Sequence, residues 1–264
     1  MRALLIAIAV AQAAPAALAD SEWSRSRVPS PGPAEAIGGY SRGCVKGAIA
    51  LPKKAGNLRV ARPARRRHFG HPQLVSYLRT LAAKMKKAGL GRLYVGDLSQ
   101  PRGGPAPSGH ASHQTGLDAD LWYLPTRRSR SVIDRRREKP SRHWNRRVPE
   151  VLRLAASDPR VARIFVHPVI KRTLCRKVTG KRDWLRKLRP WWGHDSHFHV
   201  RLSCPSSSSD CEDQPAIADG DGCAEVEWWF SKEAKDKRAA RRKSYQKKVG
   251  AAPTLPERCA AVAD

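Results

Sequence analysis

The sequence predicts an α+β fold: a small antiparallel sheet carrying a metal site, flanked by helices and stapled by disulfides. Three observations point there. Residues 71–87 place Leu74, Val75, Leu78, Leu81, Ala82 and Met85 at three- and four-residue spacings, the apolar stripe of a helix. Residues 197–202 alternate His197, His199 and Arg201 with Phe198, Val200 and Leu202, the period of two of a strand with one buried face. Six cysteines, an even number, follow a leader of exported type.

Residues 1–19 form that leader. Arg2 precedes a short apolar run, and Ala17 and Ala19 occupy the small-residue positions before the expected cut. A membrane anchor needs about 20 uninterrupted apolar residues, and Gln12 and Pro15 break this run. The mature chain is therefore expected outside the cytoplasm, with no integral membrane segment after cleavage. Residues 20–35, rich in Ser, Pro and charge, predict a flexible lead-in.

The helix over 71–87 has Pro72 near its start and Gly89 past its end. Residues 93–97 read as a short strand, and 100–108 as a Pro/Gly loop. Residues 127–147 carry 10 Arg or Lys and few apolar residues, so they read as an exposed basic excursion. A helix over 148–156, a buried strand over 163–166 ending at His167-Pro168, and a second short helix near 183–188 lead to the strand 197–202. Beyond Cys223 only 226–230 looks structured; 231–248 is basic and 250–256 is an Ala/Pro tether to Cys259. The organisation expected is one folded domain over 36–230 and a basic extension over 231–264 tied by Cys259.

The cysteines are Cys44, Cys175, Cys204, Cys211, Cys223 and Cys259. Six allow 15 pairings, and spacing favours only a small local loop between Cys204 and Cys211. A thiolate zinc site is disfavoured because no pair has the C-x-x-C spacing. The formal charge of +28 implies a polyanionic partner. For an exported chain, anionic cell-wall polymers fit that charge as well as nucleic acid does.

The chemistry lies in two clusters. In residues 108–122, His110, His113, Asp118 and Asp120 crowd beside Gly109 and Gly116. If 117–122 is extended, Leu117, Ala119 and Leu121 share the buried face and Asp120 faces a cleft. Gly116 lets the chain turn so that His113 approaches Asp120. The second cluster, residues 191–202, holds His194, His197 and His199. Two histidines and an aspartate, with a fourth position left for water, suit a hydrolytic zinc. Such an ion lowers the pKa of its water toward about 7, while His197 or His194 moves the proton. Asp118 is placed to orient a ligand imidazole.

The run Ser108-Gly-His-Ala-Ser-His-Gln-Thr-Gly-Leu-Asp-Ala-Asp120, with His194-x-x-His197-x-His199 followed by Val200-Arg201-Leu202 and Cys204-Pro205, resembles the penicillin-insensitive murein endopeptidases. These belong to a wider metallopeptidase group that includes lysostaphin-type enzymes and D-alanyl-D-alanine peptidases. Phe69-Gly70-His71-Pro72 and Asp183-Trp-Leu-Arg-Lys187 are weaker matches. The resemblance implies a periplasmic enzyme that hydrolyses the D-alanyl to meso-diaminopimelyl cross-link of peptidoglycan. It implies a catalytic Zn2+ on His113, Asp120 and His199, with His197 as base or transition-state stabiliser and His194 assisting. It also implies the disulfides Cys44–Cys259, Cys175–Cys223 and Cys204–Cys211.

Some members of the family bind a second zinc at a subunit interface through the residue matching His110. That makes His110 the candidate ligand for a second zinc, with a homodimer as its companion. The following loop, basic and shortened here, offers only Asp134 or His143 and no clear counterpart pair. Two other functions share parts of the pattern. A D-alanyl-D-alanine carboxypeptidase or dipeptidase would use the same metal site, and a non-catalytic wall or nucleic-acid binding protein would work through the basic segments 127–147 and 232–248. Against nucleic acid, the tryptophans gather near the histidines and are not interleaved with the basic runs.

Overall fold

A computed structural model describes residues 22–107, 111–248 and 254–263. The leader expected over 1–19 and His110 lie outside the described residues. The architecture is α+β, built on a seven-stranded sheet ordered Leu188–Pro190, Val161–Val166, His197–Leu202, Asp118–Trp122, Leu93–Val95, Leu58–Val60, Lys54–Ala55. Its centre is antiparallel, as expected: His197–Leu202 runs against Asp118–Trp122 on one side and Val161–Val166 on the other.

Toward the edges, two pairs are parallel, Leu58–Val60 with Leu93–Val95 and Val161–Val166 with Leu188–Pro190. A parallel pair needs a long crossover, usually a helix. Here the crossovers contain Pro72–Lys87 and Pro168–Lys177.

The two crossover helices begin alike. His71 and His167 each precede a proline at the first helical position, and each imidazole Nδ1 accepts the backbone N–H two residues on, at 3.2 Å from Gln73 and 3.2 Å from Val169. Proline fixes the backbone for the first turn, and the imidazole satisfies one of the free N–H groups there. Pro72–Lys87 buries Leu74, Val75, Tyr77, Leu78, Leu81, Ala82 and Met85 against the sheet.

Pro168–Lys177 is a helix where the sequence reading placed only the end of a strand. Val169, Ile170, Thr173 and Leu174 carry its buried face, and Lys171 interrupts the apolar pattern. Lys171 is fully buried because its Nζ donates to the carbonyls of Leu185 at 2.7 Å and Asp221 at 2.6 Å. The helix expected near 183–188 is a 3-10 turn, Asp183–Lys187, that runs directly into the strand Leu188–Pro190. Arg147–Ala156 forms the remaining expected helix.

Three segments read as irregular are more ordered than their composition suggests. In the lead-in, Trp23 sits in a one-turn helix, Glu22–Arg25, and packs into a small core with Ile37, Cys44, Cys259 and Val262. The basic excursion buries Val132 and Ile133 and forms a two-stranded ribbon, Ile133–Asp134 with Lys139–Pro140. The basic stretch after Ser231 is a helix, Lys232–Lys248, supported by Lys232–Asp236 and Glu233–Lys237 ion pairs at i,i+4 spacing.

The disulfides are Cys44–Cys259, Cys175–Cys223 and Cys204–Cys211, the pairs implied by the resemblance. Among the described residues no helix is long and apolar enough to cross a membrane.

Candidate metal centre and its cleft

Antiparallel register sets the two chemical clusters side by side. His199 pairs with Asp120, His197 with Trp122 and Arg201 with Asp118. Alternation keeps Leu121, Phe198, Ala119 and Val200 on the core side. The polar partners therefore share the opposite face.

His113 enters from the preceding loop. Gly116, at φ +69°, turns the chain there, and a Cβ at that position would stand 2.8 Å from the His71 backbone nitrogen. His113 itself has φ +68°, a left-handed conformation that costs a side-chain-bearing residue about 1–2 kcal/mol. Its backbone N–H donates to Asp118 Oδ2 at 3.1 Å, a bond that holds it there.

His113, Asp120 and His199 each offer one ligand atom, all within 4.8 Å of one another. Asp120 Oδ1 lies 3.4 Å from His113 Nε2 and 3.4 Å from His199 Nδ1. Tetrahedral bonds of zinc length put neighbouring ligand atoms about 3.3–3.4 Å apart. The donor set and these two spacings are thus compatible with a metal ion. All three side chains are buried, and burial of an imidazole–carboxylate cluster is costly without charge compensation.

Asp118 organises this cluster from behind. Its Oδ1 accepts Arg201 Nε at 2.7 Å and faces His199 Nε2 at 2.9 Å; its Oδ2 accepts Arg201 Nη2 at 2.9 Å and the His113 N–H. One buried carboxylate therefore fixes the backbone of one candidate ligand and the ring of another. Burial alone would raise the Asp118 pKa, but Arg201 and His199 hold it far below the usual carboxylate range. Asp120 is likewise held low against burial, by His197 and His113. For His199 burial opposes protonation, yet Asp118 and Asp120 prevail and raise its pKa to about 9.

His197 and His194 stand at the mouth of the site. His197 Nε2 lies 3.7 Å from Asp120 Oδ1 with 18% of the side chain exposed, and its ring centre is 5.2 Å from that of His194. Burial, then the neighbouring His199 and His197, push the His194 pKa down. Behind His194 the loop is pinned: Arg135 donates to Asp195 through Nε at 3.1 Å and Nη2 at 2.6 Å, and Val132 N–H donates to the Asp195 carbonyl at 2.9 Å. Both donors come from the basic excursion. The site opens into a cleft of about 450 Å³ whose walls include Phe165, Trp191, Trp192 and Arg241.

The structure thus brings together His113, Asp120, His199, His197 and His194. Asp134, weighed as a partner of His110, caps its own turn instead, accepting the N–H groups of Arg136 and Arg137. Sequence reading did not find the Arg201–Asp118 pair, although strand parity places Arg201 on the histidine face. It also missed the Arg135–Asp195 contact, which spans 60 residues and leaves no local signal.

Residues 36–264 match a family profile described as penicillin-insensitive murein endopeptidase. Curated proteins with that same name are 41% identical to this chain over 263 residues, covering 94% of it and 93% of their own length. They include those of Salmonella typhimurium (strain LT2), Salmonella newport (strain SL254) and Salmonella typhi.

Proposed function

This chain belongs to the family of the penicillin-insensitive murein endopeptidases, and we propose that it is a zinc metallo-endopeptidase that hydrolyses the D-alanyl to meso-diaminopimelyl cross-link of peptidoglycan. The observation that carries the metal assignment is Asp120 Oδ1 standing 3.4 Å from both His113 Nε2 and His199 Nδ1. His113, Asp120 and His199 hold the ion. When bound, it supplies Lewis acidity for the scissile carbonyl and makes water nucleophilic at neutral pH.

The protein's own groups do the rest. Asp118 presents Nδ1 of His199 to the centre by engaging Nε2, and Arg201 keeps that carboxylate ionised. His197, at the edge of the cleft and next to Asp120, takes and returns the proton. His194, kept neutral by its surroundings, assists as a hydrogen-bonding neighbour rather than as a cation. The catalytic domain is residues 36–230, and 231–264 is the basic extension tied by Cys259. Export through residues 1–19 delivers the enzyme to the periplasm, where its charge of +27, the +28 of the whole chain less Arg2, favours retention on anionic wall polymers.

Digestion of purified cross-linked muropeptides, with zinc and with a chelator, tests this reading. Dimers opening to monomers only when the metal is present is the expected result. Intact dimers in the presence of zinc would sink it, and release of free D-alanine without cross-link opening would assign a carboxypeptidase instead.

A further inference from the structure

Arg241, on the helix Lys232–Lys248, lines the same cleft as His194, His197 and His199. Its guanidinium carbon lies 4.3 Å from the Trp191 ring centre, and that of Arg238, three residues earlier, lies 4.5 Å from the Trp192 ring centre. Residues three apart share a helix face, so a double stack of arginine on tryptophan lays this helix along the cleft. Apolar burial does not explain its position: Ala234 is its one buried side chain among those described.

The cleft wall holds a second arginine, and the two differ in what their charge does. Arg201 is buried and already bonded to both oxygens of Asp118 and to Gln214 Oε1 at 2.7 Å. Arg241 is exposed, and no carboxylate among the described residues pairs with it. Stacking engages the flat face of a guanidinium and leaves its N–H edge free to bind a planar anion.

We propose that Arg241 is a carboxylate-binding residue of the cleft, which recognises a free carboxylate of the stem peptide beside the bond that is cut. This rests on the endopeptidase reading above. Under that reading, the amine released belongs to a diaminopimelyl residue whose carboxylate sits on the carbon next to the scissile nitrogen. An anion so close to the reacting carbonyl must lie within the cleft when substrate is bound. A forked donor on a rigid aromatic support fits it in charge and shape.

The test compares the full-length, zinc-loaded protein with Arg241→Gln and with Arg242→Gln, a loss of equal charge one position on. Substrates are cross-linked muropeptide dimers with the diaminopimelyl carboxylate free or amidated. Arg241→Gln is expected to raise KM on the free-carboxylate dimer about tenfold, the scale of one charge-assisted hydrogen bond, with kcat little changed. Amidation should raise KM for the unaltered protein by the same factor and have no effect on the variant.

Calorimetric affinity for the uncleaved monomers, free and amidated, reads the same contact without turnover. An equal loss in Arg242→Gln, or a variant that still discriminates the two monomers, would overturn the proposal. Should the unaltered protein cut neither dimer, the endopeptidase reading fails, while the monomer affinities still decide the role of Arg241.

Discussion

Arg201 holds Asp118 through two parallel hydrogen bonds, Nε to Oδ1 at 2.7 Å and Nη2 to Oδ2 at 2.9 Å, with both side chains out of water. Removing the arginine leaves a buried carboxylate without its counter-ion, which typically costs about 3–5 kcal/mol. Arg201→Ala is expected to lower the unfolding free energy by that scale at neutral pH, read as a lower urea midpoint. An unchanged midpoint would show that the pair is dispensable to the fold.

Asp118→Asn tests the other half of the relationship. The amide nearly preserves shape but removes the charge that faces His199 Nε2 at 2.9 Å. Loss of such an orienting partner costs about 10–100-fold in metal affinity. Competition with a graded chelator measures this; wild-type affinity in the variant would contradict the orienting role.

Arg135→Ala should slow turnover while sparing the metal. Asp195 is buried and accepts two bonds from Arg135, and the adjacent His194 is carried on the same loop. Leaving that carboxylate under-satisfied costs roughly 1–3 kcal/mol. The expected signature is a several-fold fall in kcat with zinc content at the wild-type level. A fall in zinc content instead would place Arg135 in support of the metal ligands.

Acid should weaken the fold through His167. Burial, opposed by Asp195, pushes its pKa down to about 4, whereas an unfolded histidine titrates near 6.5. The unfolded chain therefore binds the extra proton between those values, so stability is full above about pH 6.5 and declines as pH falls toward 4. The Nδ1 that accepts the Val169 N–H must be unprotonated for the cap to form. His167→Asn, which keeps a capping acceptor, should flatten the decline in unfolding free energy between pH 6.5 and 4.5. An identical slope in the variant would assign the acid sensitivity elsewhere.

How much of this was legible depended on whether the signal was local. Parity along 197–202 assigned His199 to the polar face, and the turn expected at Gly116 set His113 near Asp120. The helix Pro72–Lys87 declared itself through its apolar stripe and its punctuation. Lys232–Lys248 did not, because it is polar on every side and its support is i,i+4 ion pairs and stacked tryptophans rather than burial. Pro168–Lys177 was hidden by Lys171, whose burial makes sense only once the carbonyls of Leu185 and Asp221 arrive to meet it. Asp118 was expected to orient a ligand imidazole, but its pairing with Arg201 left no local signal. Its central place emerges from Arg201, 83 residues away in the chain.

The three disulfides are nested like brackets: Cys204–Cys211 inside Cys175–Cys223 inside Cys44–Cys259. A chain oxidised from its N-terminus as it emerges meets Cys175 as the first available partner for Cys44, a cross-link absent from the finished protein. Native pairing thus demands either that Cys44 stay reduced until the last cysteine arrives or that early bonds be reshuffled by thiol–disulfide exchange. Where reshuffling is the route, yield in cells should track disulfide isomerase capacity rather than oxidant supply.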